Sequence, residues 1–174
     1  DEISFFLYPP LPFNGRVEKL VSIIPSIVSS TVSLFFKQPV GFDCRVVLAC
    51  REEFRDYLVW RQREAWRNLV NSYGYHALLK AGRTPREAAK ELKGVKASEI
   101  HEIVFRELSL NLAETPSWQR RGVVISWRKV RKKGWNPLKK VEVEVERREL
   151  FEDWNPPLFS SPEGEEYLRR LLNL

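Results

Sequence analysis

The sequence predicts a single domain of mixed α/β class, and three observations lead to this prediction. Residues 51–80 repeat apolar side chains at close to the 3.6-residue period of a helix. Residues 141–146 alternate valine with glutamate, which is typical of a strand with one face in water. The 174 residues are 43% hydrophobic and 30% charged, which suits one ordinary domain of about 100–200 residues.

Each predicted element rests on local signals along the chain. Strand-forming residues at 3–8 stop at two prolines, and a second apolar run at 43–50 predicts a buried strand. Thr84 stands before a proline and predicts a helix N-cap, as Ser98 does for the next helix. The full set comprises strands at 3–8, 43–50, 122–130 and 138–150, and helices at 16–36, 51–80, 85–92, 98–108 and 162–172.

Composition excludes several classes of protein. Cys44 and Cys50 lie six residues apart in one predicted strand, about 20 Å from each other, which excludes a disulfide-stapled secreted domain and favours the cytoplasm. The run at 20–36 contains serines and a proline, and we expect it to be too polar and slightly too short to span a membrane. The absence of methionine leads us to expect the later part of a longer or split protein.

Charge is segregated along the chain. Residues 116–140 contain nine lysines or arginines and no acid, whereas residues 141–174 contain nine acids and four basic residues. Trp118, Trp127 and Trp135 interleave with the basic residues. Cations for phosphates beside rings for base stacking are typical of an RNA surface. A solvated hairpin whose tryptophans face the core is the alternative.

Three groups of polar residues are candidates for chemistry. Asp1 and Glu2 form a possible metal-binding carboxylate pair or a solvated surface, and Arg45 suits either a triphosphate or an ion pair. Residues Arg61, Glu64, Asn68, Asn71 and Ser72 recur at helical steps and form one stripe, which suits phosphates, bases or plain solvent. The sequence contains no glycine-rich phosphate loop, nucleophile elbow or zinc-ligand spacing.

Taken in order, these pieces resemble one family. The matching segments are Asp1-Glu2-Ile3-Ser4-Phe5, Phe42-Asp43-Cys44-Arg45-Val46-Val47, Asp56-Tyr57-Leu58-Val59-Trp60-Arg61-Gln62, Arg83-Thr84-Pro85, Leu92-Lys93-Gly94, His101-Glu102-Ile103-Val104-Phe105 and Arg121-Gly122-Val123-Val124-Ile125. The chain is thereby identified as a member of the tRNA-histidine guanylyltransferases, the reverse (3′–5′) polymerases. These enzymes are nucleotidyltransferases that add a nucleotide, typically G, to the 5′ end of tRNA.

The resemblance implies a polymerase palm-like mixed sheet with flanking helices, of which this chain is the C-terminal portion. It implies a core over 1–130, followed in the same domain by a basic hairpin, strand and closing helix over 131–174. Two Mg²⁺ ions and GTP are implied, with Asp1 catalytic and with Asp1 and Glu2 as metal ligands. Nucleotide contacts are expected at Arg45, Arg61, Gln62, Glu64 and Asn68, and tRNA contacts at Arg63, Arg67, Arg128, Lys129, Arg131, Lys132 and Lys133. Family members also form homo-oligomers.

Two kinds of departure from the family pattern qualify these expectations. The first palm strand, with its metal carboxylate, would precede Asp1, so an N-terminal segment or a separate chain must complete the active site. Trp66 stands at the family's helix histidine and Ile100 at its lysine, which argues against ATP-dependent activation of the 5′ end. The substrate is then tRNA-histidine or a 5′-truncated tRNA. A non-catalytic tRNA-binding or assembly subunit derived from the family is the alternative.

Overall fold

Six α-helices and one antiparallel pair of strands form the regular structure of residues 2–173 in the computed structural model, which describes these residues. The helices are α1 (Val17–Phe36), α2 (Arg51–Lys80), α3 (Pro85–Leu92), α4 (Ala97–Leu108), α5 (Ser117–Arg121) and α6 (Pro162–Leu172). The strands are β1 (Val124–Asn136) and β2 (Val141–Asp153). The predicted α/β class is confirmed. The chain divides into two units, Asp1–Ala49 and Cys50–Leu174.

The first unit is organised around α1. Lys37 ends the helix in the left-handed conformation, with a φ of 54°, and the following segment folds back along it. Two serines of the helix hold that segment, because Ser33 Oγ accepts a hydrogen bond from the Val40 N–H at 2.8 Å and Ser29 Oγ accepts one from the Phe42 N–H at 2.9 Å. The serines that made this run look polar therefore satisfy backbone donors of the turn.

Helix α1 is also long and apolar enough to cross a membrane. It has 20 residues, an 18-residue window of mean hydropathy 1.6, and 11% of that window buried. The expectation that this run is too polar and slightly too short was wrong, because the helix begins at Val17, three residues before Leu20, and its apolar residues outweigh the serines and the proline in mean hydropathy. Core helices and signal sequences have the same length and composition, so this property alone assigns no location.

The predicted strands at 3–8 and 43–50 are the elements that the structure contradicts. Both segments lack strand assignment, and β1 and β2 form the sole ladder of the described residues. A β-strand exists through hydrogen bonds to a neighbouring strand, so an apolar, β-branched segment without such a neighbour stays irregular. Cys50 is correspondingly the N-cap residue of α2 rather than a strand residue.

The second unit is built on α2, which packs against α3, α4 and α5. Its hydrophobic core consists of Leu69, Val70, Ala77, Ile100, Val104 and Leu112. Gly74 permits the close approach of α4, since a Cβ at this position would lie 2.4 Å from Ile100 Cγ2. The helical period read from residues 51–80 and the bounds of α2 coincide.

Helix α3 begins with the N-cap that the sequence predicted. The Glu87 N–H donates to Thr84 Oγ1 at 3.3 Å, and the Glu87 carboxylate accepts from the Thr84 N–H at 2.9 Å, which completes a capping box. The backbone hydrogen bond from Thr84 lowers the pKa of Glu87. Helix α4 differs from prediction, because it starts at Ala97 with Lys96 as a cap residue that makes no side-chain hydrogen bond, so Ser98 is not the N-cap.

Strands β1 and β2 form a long hairpin in which Val124 pairs with Asp153 and Asn136 pairs with Val141. Both strands are shifted toward the C-terminus relative to the predicted ranges 122–130 and 138–150, because they begin at 124 and 141 and end at 136 and 153. The boundary at 130/131, which the family resemblance implied, falls within β1.

Candidate functional site

The predicted metal pair lies at the edge of what the structure describes. Asp1 is outside the described residues, and Glu2 is exposed. Within residues 2–173, no group of three or more His, Cys, Asp or Glu side chains comes together in a way that could hold a metal ion. The described side chains therefore do not by themselves supply the oxygen ligands that Mg²⁺ requires.

Arg45, the predicted triphosphate contact, lies in the first unit on an irregular, exposed segment. The remaining predicted nucleotide contacts lie on α2 in the second unit. The structure thus describes Arg45 and the α2 residues within separate units.

The polar stripe on α2 is present along one side of the helix. The Arg61 guanidinium lies over the Trp60 ring, 4.8 Å from its centroid, and Asn68 is exposed. Glu64 forms an ion pair with Arg67 one turn later. The half-buried Arg61 and Glu64, followed by the exposed amides of Asn68 and Asn71, give the stripe both donors and acceptors for a nucleotide or RNA. Arg63 is exposed on the same helix.

Gln62 differs from the other predicted contacts because it is buried, with 5% of its surface exposed. Its Nε2 donates to the Pro157 carbonyl at 3.1 Å and to the Arg121 carbonyl at 3.4 Å, and its Oε1 accepts from the Phe159 N–H at 2.7 Å. Arg121 precedes β1, and Pro157 and Phe159 follow β2. The amide of Gln62 thus ties the base of the hairpin to α2.

The hairpin distributes the predicted tRNA contacts over two faces. Successive residues of a strand point to opposite sides, so Lys129, Arg131 and Lys133 share one face and Arg128 and Lys132 share the other. Trp127 and Trp135 lie on the first face and are 66% and 62% exposed. The alternative in which these two tryptophans face the core was therefore wrong.

Strand pairing changes the charge of this surface. Three of the five basic residues of β1 lie directly opposite glutamates of β2: Arg128 is opposite Glu149, Arg131 is opposite Glu146, and Lys133 is opposite Glu144. Charges that are separated in the sequence become cross-strand neighbours, which stabilises the hairpin and reduces its net positive potential. A basic stretch in a sequence is thus not a basic patch when its partner strand is acidic.

Not all of the cations are neutralised. Lys129 Nζ lies 2.8 Å from the Glu146 carboxylate, Lys132 forms an ion pair with Glu149, and Arg128 stacks over the Phe151 ring. Arg131 and Lys133 make no ion pair with any residue that the structure describes. Sequence reasoning missed one further cation of the same face, Arg148, which the register places opposite Lys129. Only the register of the hairpin identifies it.

The chain is similar to known proteins over the residues that form α2 and the hairpin. Residues 52–153, more than half of the chain, match the family model described as the Thg1 C terminal domain. The chain belongs to this family. The match includes α2, the core helices and the whole hairpin.

Named relatives of known sequence agree with this membership. The chain is 32% identical over 142 residues to a probable tRNA(His) guanylyltransferase of Mus musculus, which covers 75% of this chain and 48% of that protein. It is 35% identical over 137 residues to a probable tRNA(His) guanylyltransferase of Dictyostelium discoideum, and this alignment covers 72% of this chain and 54% of that protein. The chain thus spans about half the length of the curated relatives it matches.

Solved structures show the same fold. The crystal structure of the tRNA(His) guanylyltransferase of Saccharomyces cerevisiae matches with a TM-score of 0.53 and 30% identity, over 64% of this chain and 55% of that one. A bacterial Thg1-like protein in complex with ATP matches with a TM-score of 0.61 and 20% identity, and the match covers 93% of this chain and 60% of that one. The second likeness is one of fold alone. These comparisons confirm the predicted family, and the match to the Thg1 C terminal domain confirms that this chain corresponds to the C-terminal portion of the family fold.

Proposed function

We propose that this chain is part of a tRNA(His) guanylyltransferase-like nucleotidyltransferase that adds a nucleotide, typically G, to the 5′ end of tRNA(His) or of 5′-truncated tRNAs. The observation that carries the proposal is the match of residues 52–153 to the Thg1 C terminal domain, together with named relatives at 31–35% identity over roughly 140 residues. This span contains the α2 stripe and the hairpin.

Within the proposed enzyme, α2 handles the nucleotide or the tRNA end and the hairpin holds the tRNA backbone. Arg61, Glu64 and Asn68 provide donors and acceptors on one side of α2, and Arg63 and Arg67 provide exposed cations on the same helix. Arg131 and Lys133 are the hairpin cations best suited to phosphates, because they make no ion pair within residues 2–173. Arg45 is proposed to contact the triphosphate.

Gln62 takes a different part in this proposal. Its side chain makes its hydrogen bonds to the backbone of the hairpin base. We therefore propose that Gln62 positions the hairpin relative to α2, rather than reaching a nucleotide itself.

The proposed reaction also uses Mg²⁺ and GTP. Two Mg²⁺ ions would bridge carboxylates and triphosphate in the completed site, with Asp1 and Glu2 as the carboxylates from this chain. Since residues 2–173 do not form a set of ligands, the proposed site requires carboxylates from an N-terminal segment or a partner chain. We also propose that the chain forms a homo-oligomer. We propose a cytoplasmic location as well, in line with the two free cysteines.

The proposal is tested with a 5′-triphosphorylated tRNA(His) transcript that lacks its extra 5′ nucleotide. The transcript is incubated with labelled GTP, Mg²⁺ and the protein as purified from its source. Transfer of label to the tRNA is expected, and Asp1→Ala abolishes it without unfolding the protein. Salt-sensitive tRNA binding without any transfer of label would instead identify a non-catalytic tRNA-binding subunit.

A further inference from the structure

The far end of the hairpin, residues 135–141, forms an exposed apolar tip. Gln62 holds the base of the hairpin against α2, and strands of 13 residues place the turn about 40 Å from that base. At the tip, Leu138 is 94% exposed, Trp135 62% and Val141 46%. None of these three side chains is among the proposed nucleotide or tRNA contacts. Large apolar side chains that are exposed together mark an interaction site.

The three apolar side chains surround the tip and do not form one flat face. Trp135 and Val141 lie on opposite faces of the hairpin, because Val141 pairs with Asn136, the residue after Trp135. Leu138 lies in the turn between them. A rigid protein partner covers one face, whereas a fluid lipid interface surrounds an inserted wedge on all sides. The arrangement therefore favours a membrane surface over a protein surface.

The backbone donors of the turn are satisfied within the tip. Asn136 Oδ1 accepts hydrogen bonds from the Leu138 N–H and the Lys139 N–H, each at 3.0 Å. Pro137, between them, has no N–H. Three successive residues thus present no free backbone donor, which lowers the cost of moving the turn out of water. A turn that binds phosphate has the opposite property, since its N–H groups are free and point at the anion.

The charge of the tip is complementary to anionic lipid. The tip contains Lys139 and Lys140 and no acid. Both lysines are exposed, and neither forms an ion pair within residues 2–173. The acidic residues of β2 begin only after the tip, at Glu142. Lysines beside exposed aromatic and aliphatic side chains are typical of segments that lie in the interface of an anionic membrane.

We infer that the hairpin tip inserts into the interface of a membrane that contains anionic lipids. Trp135 and Leu138 enter the boundary between headgroups and acyl chains, where tryptophan is favoured because its ring is apolar and its N–H is polar. Lys139 and Lys140 remain among the lipid phosphates. The cytoplasmic leaflet carries such lipids, in agreement with the proposed location. The tip thereby recruits the chain to a membrane surface, a role separate from nucleotide addition.

The inference is tested by co-sedimentation of the full chain with vesicles. One set contains phosphatidylcholine alone and the other equal parts of phosphatidylcholine and phosphatidylserine. Binding to the mixed vesicles is expected, and it weakens as salt rises. Leu138→Ser is expected to weaken this binding by about tenfold, because the buried leucine surface is lost. Leu48→Ser is the matched control, since Leu48 is also 94% exposed and lies in the first unit.

Two further variants separate insertion from electrostatic adsorption. Lys139→Ala is expected to weaken binding to the mixed vesicles by about fivefold, the contribution of one lysine near an anionic surface, and Lys90→Ala is its control in α3. Insertion also shifts tryptophan emission to shorter wavelength. Trp135→Phe is expected to remove most of that shift, whereas Trp118→Phe, at the base of the hairpin, keeps it.

Several results would overturn the inference. These are no binding of the unaltered chain to mixed vesicles, equal losses in Leu138→Ser and Leu48→Ser, and binding that survives in Leu138→Ser but is lost in Leu34→Ser. The last result would assign the lipid contact to α1, where Leu34 is 79% exposed. RNA binding that depends on Leu138, without vesicle binding, would assign the tip to RNA instead.

The test is independent of the proposed function. Leu138→Ser is expected to lose vesicle binding and still transfer label to tRNA. Vesicle binding by a chain that transfers no label would leave the membrane contact in place and contradict only the proposed function.

Discussion

Gln62 and Phe159 are 97 positions apart in the chain, and the Gln62 Oε1 accepts a hydrogen bond of 2.7 Å from the Phe159 backbone N–H. Both residues are buried. The same amide donates to the Pro157 carbonyl, so one side chain satisfies a backbone donor and a backbone acceptor of a segment that has no regular structure. A buried irregular segment needs such partners, because its polar groups have no ladder.

Loss of this amide is expected to destabilise the second unit. Gln62→Leu keeps most of the volume but leaves the Phe159 N–H and the Pro157 carbonyl without their partner, at a cost of about 1–3 kcal/mol. Urea unfolding measures the change in the free energy of unfolding. Ser72→Leu, at an exposed position of the same helix, is the control and is expected to change it by less than about 0.5 kcal/mol. Equal stability of the two variants would contradict the bridging role of Gln62.

Gly74→Ala is expected to destabilise the α2–α4 contact by about 1–3 kcal/mol, because the added Cβ overpacks the interface. The Cβ would lie 2.4 Å from Ile100 Cγ2. Combination with Ile100→Ala removes the clash, so the double variant is expected to lose less stability than the sum of the single variants. Gly41→Ala is the control, since a Cβ there has no neighbour within 4 Å. If the losses of stability in the two single variants simply add in the double variant, the prediction is contradicted, because α4 then moves away to accommodate the added Cβ.

The hairpin cations are expected to differ in their contribution to RNA binding. Arg131→Ala and Lys133→Ala each remove a phosphate contact, so each is expected to reduce the slope of log affinity against log salt by about 0.7–0.9. Lys129→Ala is expected to have a smaller effect, because Glu146 already neutralises Lys129. Lys90→Ala, in α3, is the control for net charge. An equal loss of RNA affinity in all four variants would contradict this prediction, because it would indicate a diffuse electrostatic effect with no defined phosphate contact.

The capping box of α3 is expected to make stability depend on pH. The pKa of Glu87 is lowered by the backbone hydrogen bond from Thr84, so the folded state holds its proton less tightly than the unfolded state. The stabilisation is therefore complete above the ordinary glutamate pKa of about 4.3 and is lost as pH falls through the lower pKa of the folded state. The difference in urea midpoint between the unaltered chain and Glu87→Gln is expected to shrink in acid. A difference that is constant down to pH 3, about one unit below 4.3, would contradict this contribution.

Elements defined by local signals could be predicted from the sequence. The apolar period predicted α2, and Thr84 with Pro85 predicted the start of α3, because helices and caps are held by contacts within a few residues. The motifs over residues 52–153 likewise identified the family.

Features that depend on distant partners could not be predicted. The segments at 3–8 and 43–50 have strand-like composition, but pairing decides whether a strand forms. Lys129 and Arg131 are alike in sequence, and the register places Glu146 opposite Arg131, yet the Glu146 carboxylate forms its ion pair with Lys129 on the diagonal. The family resemblance implied a nucleotide contact at Gln62, whereas its hydrogen-bond partners are backbone groups 59 to 97 positions away.

The central claim is nucleotide addition at the 5′ end of tRNA, and the position of the added nucleotide tests it most directly. The chain, completed by an N-terminal segment in cis or in trans, is incubated with Mg²⁺, labelled GTP and the 5′-triphosphorylated tRNA(His) transcript, and the label is mapped by digestion from each end. The account predicts one labelled guanosine at the 5′ end. Label at the 3′ end, or no label from a completed enzyme that still binds the tRNA, would contradict it.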